Sequence, residues 1–174
     1  MRREAGLTLM ELLVAIAVLG VLLSIGVPAF GNFAVDSRLA SATNRFVSAI
    51  HLARSEAVRR NARVTLCPSG DGVSCATGGE WAQGWIVFAD LDSTGERDSG
   101  EPILAVGQGI GGGVQITGNT PVRHYISYIG LGATRRANGA LQMGTVTLCA
   151  GTEGRQVIIS RTGRPRVQHG GCNP

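Results

Sequence analysis

The chain has 174 residues, with 16 basic and 12 acidic side chains, and its formal net charge is +4. Every basic residue is arginine, aromatic residues make up 5% of the chain, and the 26 glycines favour short strands joined by tight turns. Once an N-terminal apolar run is set aside, the remaining length is that of one domain and suffices for a real core.

The first predicted element is a long apolar helix near the N-terminus. From Leu7 to Phe30, Glu11 is the one ionisable residue, and a helix of this length spans about 36 Å, enough to cross a bilayer. Arg2 and Arg3 hold the short end in the cytoplasm, so we expect the rest of the chain to be exported. The alternative is a secretory signal, but its apolar region is shorter and precedes its cleavage site.

The next segment continues the helix with an amphipathic pattern. Apolar residues recur at three- and four-residue steps, at Val35, Leu39, Ala42, Phe46, Ile50, Ala53 and Ala57. No strong helix breaker occurs from Gly31 to Arg60. We predict one long, curved helix whose second half packs on a sheet, with its charged residues on a solvated face.

From Val64 onward, short β-like runs alternate with glycine, aspartate and asparagine. The predicted strands are Val64–Cys67, Trp85–Ala89, Ile103–Val106, Val114–Ile116, His124–Ile129, Thr145–Cys149 and Val157–Ser160. One long helix followed by such a series predicts an α+β fold, in which the helix packs on an antiparallel sheet.

The cysteines lie beyond the apolar run, in a compartment where disulfides persist. Cys67, Cys75, Cys149 and Cys172 allow three pairings, and proximity favours Cys67 with Cys75 and Cys149 with Cys172. A four-cysteine metal site is the alternative, but the chain has neither a C-x-x-C pair nor suitably spaced histidines. We predict disulfides and no cofactor.

An acidic loop between two predicted strands follows most of the EF-hand spacing. Its candidate calcium ligands are Asp90, Asp92, Thr94, Glu96 and Glu101. Thr94 stands where Asp or Asn is usual, and the flanking segments are predicted strands and not helices. We therefore favour a solvated hairpin loop over a Ca²⁺ site.

Basic charge is concentrated in the C-terminal half. Residues 102–174 contain seven arginines and one acid, whereas residues 80–101 contain six acids and one arginine. Such segregation is expected of a surface that binds a polyanion. Pro165 favours an extended segment that is not a central strand of a sheet. In an extended segment, the side chains of Arg164 and Arg166 point the same way, about 7 Å apart. This distance is comparable to the spacing of neighbouring phosphates in a nucleic acid. The alternative is a basic surface that only maintains solubility.

The N-terminal residues resemble those of type IV pilins. The resemblance implies cleavage after Gly6 and N-methylation of Leu7. It also implies a role in assembly for Glu11, which would meet the N-terminal amine of a neighbouring subunit. The chain departs from the usual pilin pattern at Leu7, where phenylalanine is common. The resemblance divides the chain into a leader (1–6), a transmembrane and assembly helix (7–30), an amphipathic half (31–62) and a β-rich domain (63–174). Before assembly the protein would cross the inner membrane once, with its C-terminal domain in the periplasm, and then enter a surface filament.

Later motifs resemble the FimT/GspH group of minor pilins and pseudopilins. They are Val64–Ser69, Gly84–Phe88, the acidic loop Asp90–Glu101 and the G-R-x-R segment Gly163–Arg166. In FimT-like members of transformable bacteria, this last motif is associated with DNA binding. The resemblance implies DNA contacts at Gly163, Arg164 and Arg166. Further candidate contacts are Arg155 and Arg161 upstream, and Arg135 and Arg136 in a separate loop.

Together these features predict a minor pilin that binds double-stranded DNA weakly and without sequence preference in natural transformation. Its expected partners are other pilins or pseudopilins and the prepilin peptidase. The alternatives are a FimU-like pilin that primes assembly and a GspH-like pseudopilin of type II secretion, neither of which binds DNA. The chain lacks G-x-S-x-G, H-E-x-x-H and P-loop motifs, and its histidines are isolated, so we predict no enzyme.

Overall fold

The computed structural model describes residues 8–172, except for the side chains of residues 25–29 and 32. The predicted leader and the processing residues Gly6 and Leu7 therefore lie outside the described residues. The chain divides into two compact units, Met1–Asp36 and Ser37–Pro174. Among the described residues, no helix has an apolar stretch long enough to cross a membrane.

A single α-helix, α1, begins at Leu9 and ends at Arg60, as the two helical patterns predict. At its start, Glu11 Oε2 accepts a hydrogen bond from the Thr8 N–H (2.9 Å), and Thr8 Oγ1 accepts one from the Glu11 N–H (3.3 Å). This capping box satisfies N–H groups that have no partner within the helix. At its end, Asn61 has a φ of 48° and the Ala62 N–H donates to the Ala57 carbonyl, which closes the last turn.

Among the described residues of the second unit, eight strands form two antiparallel sheets. They are β1 (Val64–Pro68), β2 (Gly84–Ala89), β3 (Ile103–Gln108), β4 (Gln115–Gly118), β5 (Ile126–Tyr128), β6 (Gly144–Ala150), β7 (Glu153–Ile159) and β8 (Pro165–Gly171). The first sheet has the order β3-β2-β1-β5 and the second the order β4-β6-β7-β8. The predicted α+β fold is confirmed.

The core of the second unit includes the apolar face of α1. Six of the seven helix positions that the periodicity predicts are buried, namely Leu39, Ala42, Phe46, Ile50, Ala53 and Ala57. Val35 is half-buried instead, and the unpredicted Thr43 and Ala49 are also buried. Phe46 is fully buried, and its ring lies edge-on to Trp81 (5.2 Å between centroids) and Trp85 (5.4 Å). Such aromatic pairs contribute about 0.5–1.5 kcal/mol each beyond the area they bury.

Strand β8 is the main element that the sequence patterns miss. Its residues lack the apolar alternation of a half-buried strand, and five of the seven are exposed. β8 pairs with β7 alone, at the edge of the second sheet, and Pro165 is its first residue. An edge strand tolerates proline at this position, so the prediction that this segment is not a central strand is confirmed.

Both disulfides join the cysteines that proximity along the chain favours. Cys67 at the end of β1 pairs with Cys75 and closes a surface loop. Cys149 in β6 pairs with Cys172, which follows β8, and so links these two strands across β7. The C-terminal strand is therefore held by a covalent bond as well as by its ladder with β7.

Candidate nucleic-acid interface

The predicted DNA-binding motif begins in the tight turn between β7 and β8. The Gly163 N–H donates to the Ser160 carbonyl (2.9 Å), and the Ser160 N–H donates to the Arg164 carbonyl (3.1 Å). Ser160 Oγ also accepts a hydrogen bond from the Arg164 N–H (3.2 Å). Three hydrogen bonds thus hold the backbone that leads into Arg164.

Gly163 is required by both conformation and space. Its φ is +75°, a region that side chains rarely adopt, and a Cβ there would lie 2.5 Å from the Gly132 carbonyl oxygen. Beside it, the fully buried Tyr128 donates a hydrogen bond from its hydroxyl to the Gly163 carbonyl (2.8 Å). Burial raises the pKa of Tyr128, which keeps the hydroxyl protonated as a donor. The first residue of the G-R-x-R motif therefore positions the turn.

We expect Tyr128→Phe to destabilise the protein by about 1–2 kcal/mol, because the buried Gly163 carbonyl loses its hydroxyl donor while the ring remains. Urea unfolding of the full chain in a non-ionic detergent measures this free energy. Tyr125→Phe, which removes a hydroxyl from a half-buried tyrosine that contacts the exposed Ala137 N–H, is the matched control with a smaller expected effect. Equal unfolding free energies for wild type and Tyr128→Phe would contradict a role for this hydrogen bond.

Arg166 lies on the outer face of the second sheet, and Arg164 lies in the turn just before β8. In the β7–β8 ladder, Arg166 lies opposite Ile158 and Gln168 lies opposite Gln156, and residues directly opposite share a face. Both arginines are exposed. The register covers Arg166 alone, so the common direction of the two side chains stays a prediction.

A groove beside the turn brings together arginines from three separate segments. It encloses about 670 Å³ and is lined by Arg54, Leu131, Ala133, Arg135, Leu141, Arg161, Thr162 and Arg164. We call it the arginine groove. Among the described residues, none of those lining it is acidic, and the ion pairs join Glu56 to Arg59 and Arg60 instead. The groove therefore concentrates positive charge that no neighbouring carboxylate neutralises.

Four of the predicted contacts do not line this groove: Arg136, Arg155, Gly163 and Arg166. Arg155 shares the inner face of the sheet with Val157, opposite to the face of Arg166, and is half-buried. Arg136 is half-buried in a turn, where its N–H donates to the Ala140 carbonyl. Conversely, Arg54 lines the groove, although the amphipathic pattern places the charged residues of α1 on a solvated face. No sequence signal identifies Arg54, because its neighbours in the groove come from distant parts of the chain.

The acidic loop between β2 and β3 is less solvated than the sequence suggests. Asp90 is 1% exposed and Glu101 is 5% exposed, whereas Asp92, Thr94 and Glu96 are exposed. One oxygen from each of Asp90, Asp92 and Glu101 lies within 4.8 Å of the others. The interpretation as a wholly solvated hairpin loop is therefore incorrect for two of its carboxylates.

Comparison with known proteins identifies the family. The family model of the type II transport protein GspH matches residues 42–163, which include α1 from Ala42, most of both sheets and Gly163. The chain belongs to the GspH family. A prokaryotic N-terminal methylation motif also matches residues 1–27. The resemblance to minor pilins and pseudopilins is thereby confirmed.

Relatives of this GspH-family chain are pilin-like proteins. It is 32% identical over 166 residues to the pilin-like protein PilA1 of Thermus thermophilus, covering 94% of this chain and 97% of that protein. The minor pilin FimU of Pseudomonas aeruginosa shares the fold at 20% identity, with a TM-score of 0.59 and coverage of 78% and 92% of the two chains. The minor pseudopilin EpsH of Vibrio cholerae matches at 11% identity with a TM-score of 0.50, covering 76% and 97%.

Proposed function

We propose that this GspH-family protein is a minor pilin that binds double-stranded DNA without sequence preference and supports DNA uptake in natural transformation. The observation that carries the proposal is the arginine groove, where Arg54, Arg135, Arg161 and Arg164 converge. The outer face of β8 extends this positive surface through Arg166. Arginine suits phosphate because its planar guanidinium donates two parallel hydrogen bonds.

The form of the surface favours contact with the phosphate backbone over contact with bases. The arginines lie on a sheet edge, a turn and the flank of α1, and none is on an exposed helix end shaped to enter a major groove. Phosphate contacts position a protein on DNA but carry no sequence information. We therefore expect weak, salt-sensitive binding that is the same for unrelated sequences.

The N-terminal unit supports a place in a filament. Every described side chain from Thr8 to Ser24 is exposed, although most of them are apolar. Such a surface is unfavourable in water and is buried by lipid before assembly and by other pilins afterwards. In this proposal a prepilin peptidase cleaves after Gly6, Leu7 is methylated, and Glu11 meets the amine of a neighbouring subunit. The chain is a binding and structural protein with no catalytic role.

A salt titration of DNA binding tests the proposed function. The full chain in a non-ionic detergent is titrated into labelled duplexes of two unrelated sequences at 50 and 200 mM NaCl. With about three or four phosphate contacts, affinity should fall roughly 40- to 150-fold between these salt concentrations, because each contact releases condensed counterions. Both sequences should give the same dissociation constant and the same salt dependence.

Absence of binding at 50 mM NaCl would overturn the proposal and favour a pilin that primes assembly or a pseudopilin of type II secretion. A difference of more than about tenfold between the two sequences would contradict the phosphate-based mode, because sequence discrimination requires contacts to bases. Empty detergent micelles serve as the control for interaction between DNA and detergent.

A further inference from the structure

Three carboxylates converge in the loop between β2 and β3. Asp90 follows β2 directly, Glu101 stands just before β3, and Asp92 lies in the loop between them. One oxygen from each lies within 4.8 Å of the others. Among the described residues, no arginine forms an ion pair with any of them. The loop therefore gathers three carboxylates, and its own Arg97 donates hydrogen bonds to the Glu101 carbonyl and not to a carboxylate.

One of these carboxylates has a buried oxygen without a partner. Asp90 Oδ2 accepts hydrogen bonds from Thr65 Oγ1 (2.6 Å) and from the Gly95 N–H (3.2 Å). Asp90 Oδ1 has no hydrogen-bond partner among the described residues, although the residue is 1% exposed. Burying an unsatisfied charged oxygen is costly, and such an atom in a folded protein points to an ion or a water molecule.

Hydrogen bonds within the loop hold the Glu101 carboxylate in place. Glu101 is held by hydrogen bonds from the Leu91 N–H (2.6 Å) and the Asp98 N–H (3.1 Å), one to each carboxylate oxygen. Gly95 adopts a φ of +82° at the position where EF-hand loops require glycine for a sharp turn. The carboxylates of Asp90 and Glu101 are therefore fixed in place by the loop and by strand β1.

We propose that Asp90, Asp92 and Glu101 form a Ca²⁺ site in the β2–β3 loop. Calcium is a hard cation that prefers oxygen ligands and accepts an irregular set of carboxylates, carbonyls and waters. The buried Asp90 oxygen then has a partner, and the converging negative charge is neutralised. The site differs from an EF-hand because strands, not helices, flank it, and it shares no residue with the arginine groove.

Calcium at this position would fix the loop and the segment that it contacts. Asp90 and Glu101 connect the end of β2 to the start of β3 across the loop. Arg97 of the same loop donates to the Val73 carbonyl (2.9 Å), which lies within the segment closed by Cys67 and Cys75. Binding at the carboxylates should therefore stabilise both segments against local opening.

Thermal unfolding of the full chain in a non-ionic detergent tests the site. Samples contain 10 mM CaCl₂, 10 mM MgCl₂, NaCl at the same ionic strength, or a chelator. With affinity in the range of extracellular calcium modules, CaCl₂ should raise the Tm by about 3–10 °C over the chelator. Mg²⁺ should give a smaller shift because it demands a near-octahedral site and dehydrates reluctantly. Equal Tm values in CaCl₂ and chelator would overturn the proposal.

Two exposed acids of the loop provide a matched pair of variants. Asp92→Asn removes a ligand and should abolish most of the Tm shift, whereas Glu96→Gln removes the same charge outside the three-carboxylate group and should retain it. Because both side chains are exposed, neither change should prevent folding. A calcium shift that persists in Asp92→Asn, or that disappears equally in both variants, would contradict the assigned ligands.

Discussion

Replacing Arg164 and Arg166 together by glutamine is expected to reduce affinity for double-stranded DNA roughly 30- to 160-fold at 50 mM NaCl. Two charge-assisted contacts to phosphate account for about 2–3 kcal/mol of binding free energy. The salt dependence should also become shallower, by about two in the slope of log K against log salt concentration. Both side chains are exposed, so the unfolding free energy should stay within about 0.5 kcal/mol of wild type.

Arg59→Gln/Arg60→Gln is the matched control, because it removes the same charge from another exposed part of the protein. Both arginines form ion pairs with Glu56, whose pKa their hydrogen bonds lower to about 2, and neither lines the arginine groove. The control should bind DNA within about threefold of wild type, which reflects the general field alone. Equal losses in the two double variants would show that net charge, and not the Gly163–Arg166 segment, governs binding.

Gly163→Ala should impair the same function without removing any charge. Alanine at a φ of +75° costs roughly 1–2 kcal/mol, and its Cβ would also overlap the Gly132 carbonyl oxygen and the Tyr128 ring. We expect a total destabilisation of about 3 kcal/mol and a loss of DNA affinity of at least about fivefold, because the turn that positions Arg164 must shift. Urea unfolding and DNA titration of the full chain in detergent measure the two effects.

Gly139→Ala is the control that separates the two causes of destabilisation expected for Gly163→Ala, namely the positive φ and the steric overlap of the new Cβ. Gly139 has a φ of +80°, but a Cβ there would meet nothing within 4 Å. This variant should lose only about 1–2 kcal/mol and should leave Arg164 undisturbed. If Gly163→Ala were no less stable than Gly139→Ala, close packing against Gly132 would not explain the glycine of the motif.

Elements that depend on local pattern could be predicted from the sequence. The apolar steps from Leu39 to Ala57 identify the buried face of α1, because a helix repeats its surface every three to four residues. Short apolar runs between turn residues locate seven strands. The predicted ends of the strands are less accurate. The apolar run predicts a strand from Val157, but β7 begins at Glu153 because pairing with β6 and β8 extends it. Strand β8 was missed because its partner, and not its own composition, makes it a strand.

In the candidate site, too, local spacing predicts some features, and others depend on residues far apart in the chain. The G-R-x-R spacing predicts that Arg164 and Arg166 lie on one side of an extended segment, since side chains alternate along a strand, and the register confirms an exposed face for Arg166 alone. The sequence could not exclude Arg155, which the register places on the opposite face, or include Arg54, which lies on α1. Nor could it show that Asp90 and Glu101 are buried while Glu96 is not.

By itself, the sequence determined the pilin-like N-terminus, the single long helix, the α+β class and the separation of acidic from basic segments, because these follow from periodicity, composition and short-range spacing. The tertiary structure alone decided which arginines share a groove and which carboxylates of the acidic loop are buried. These arrangements depend on strand register and on packing between segments far apart in the chain, and no local pattern encodes such distances.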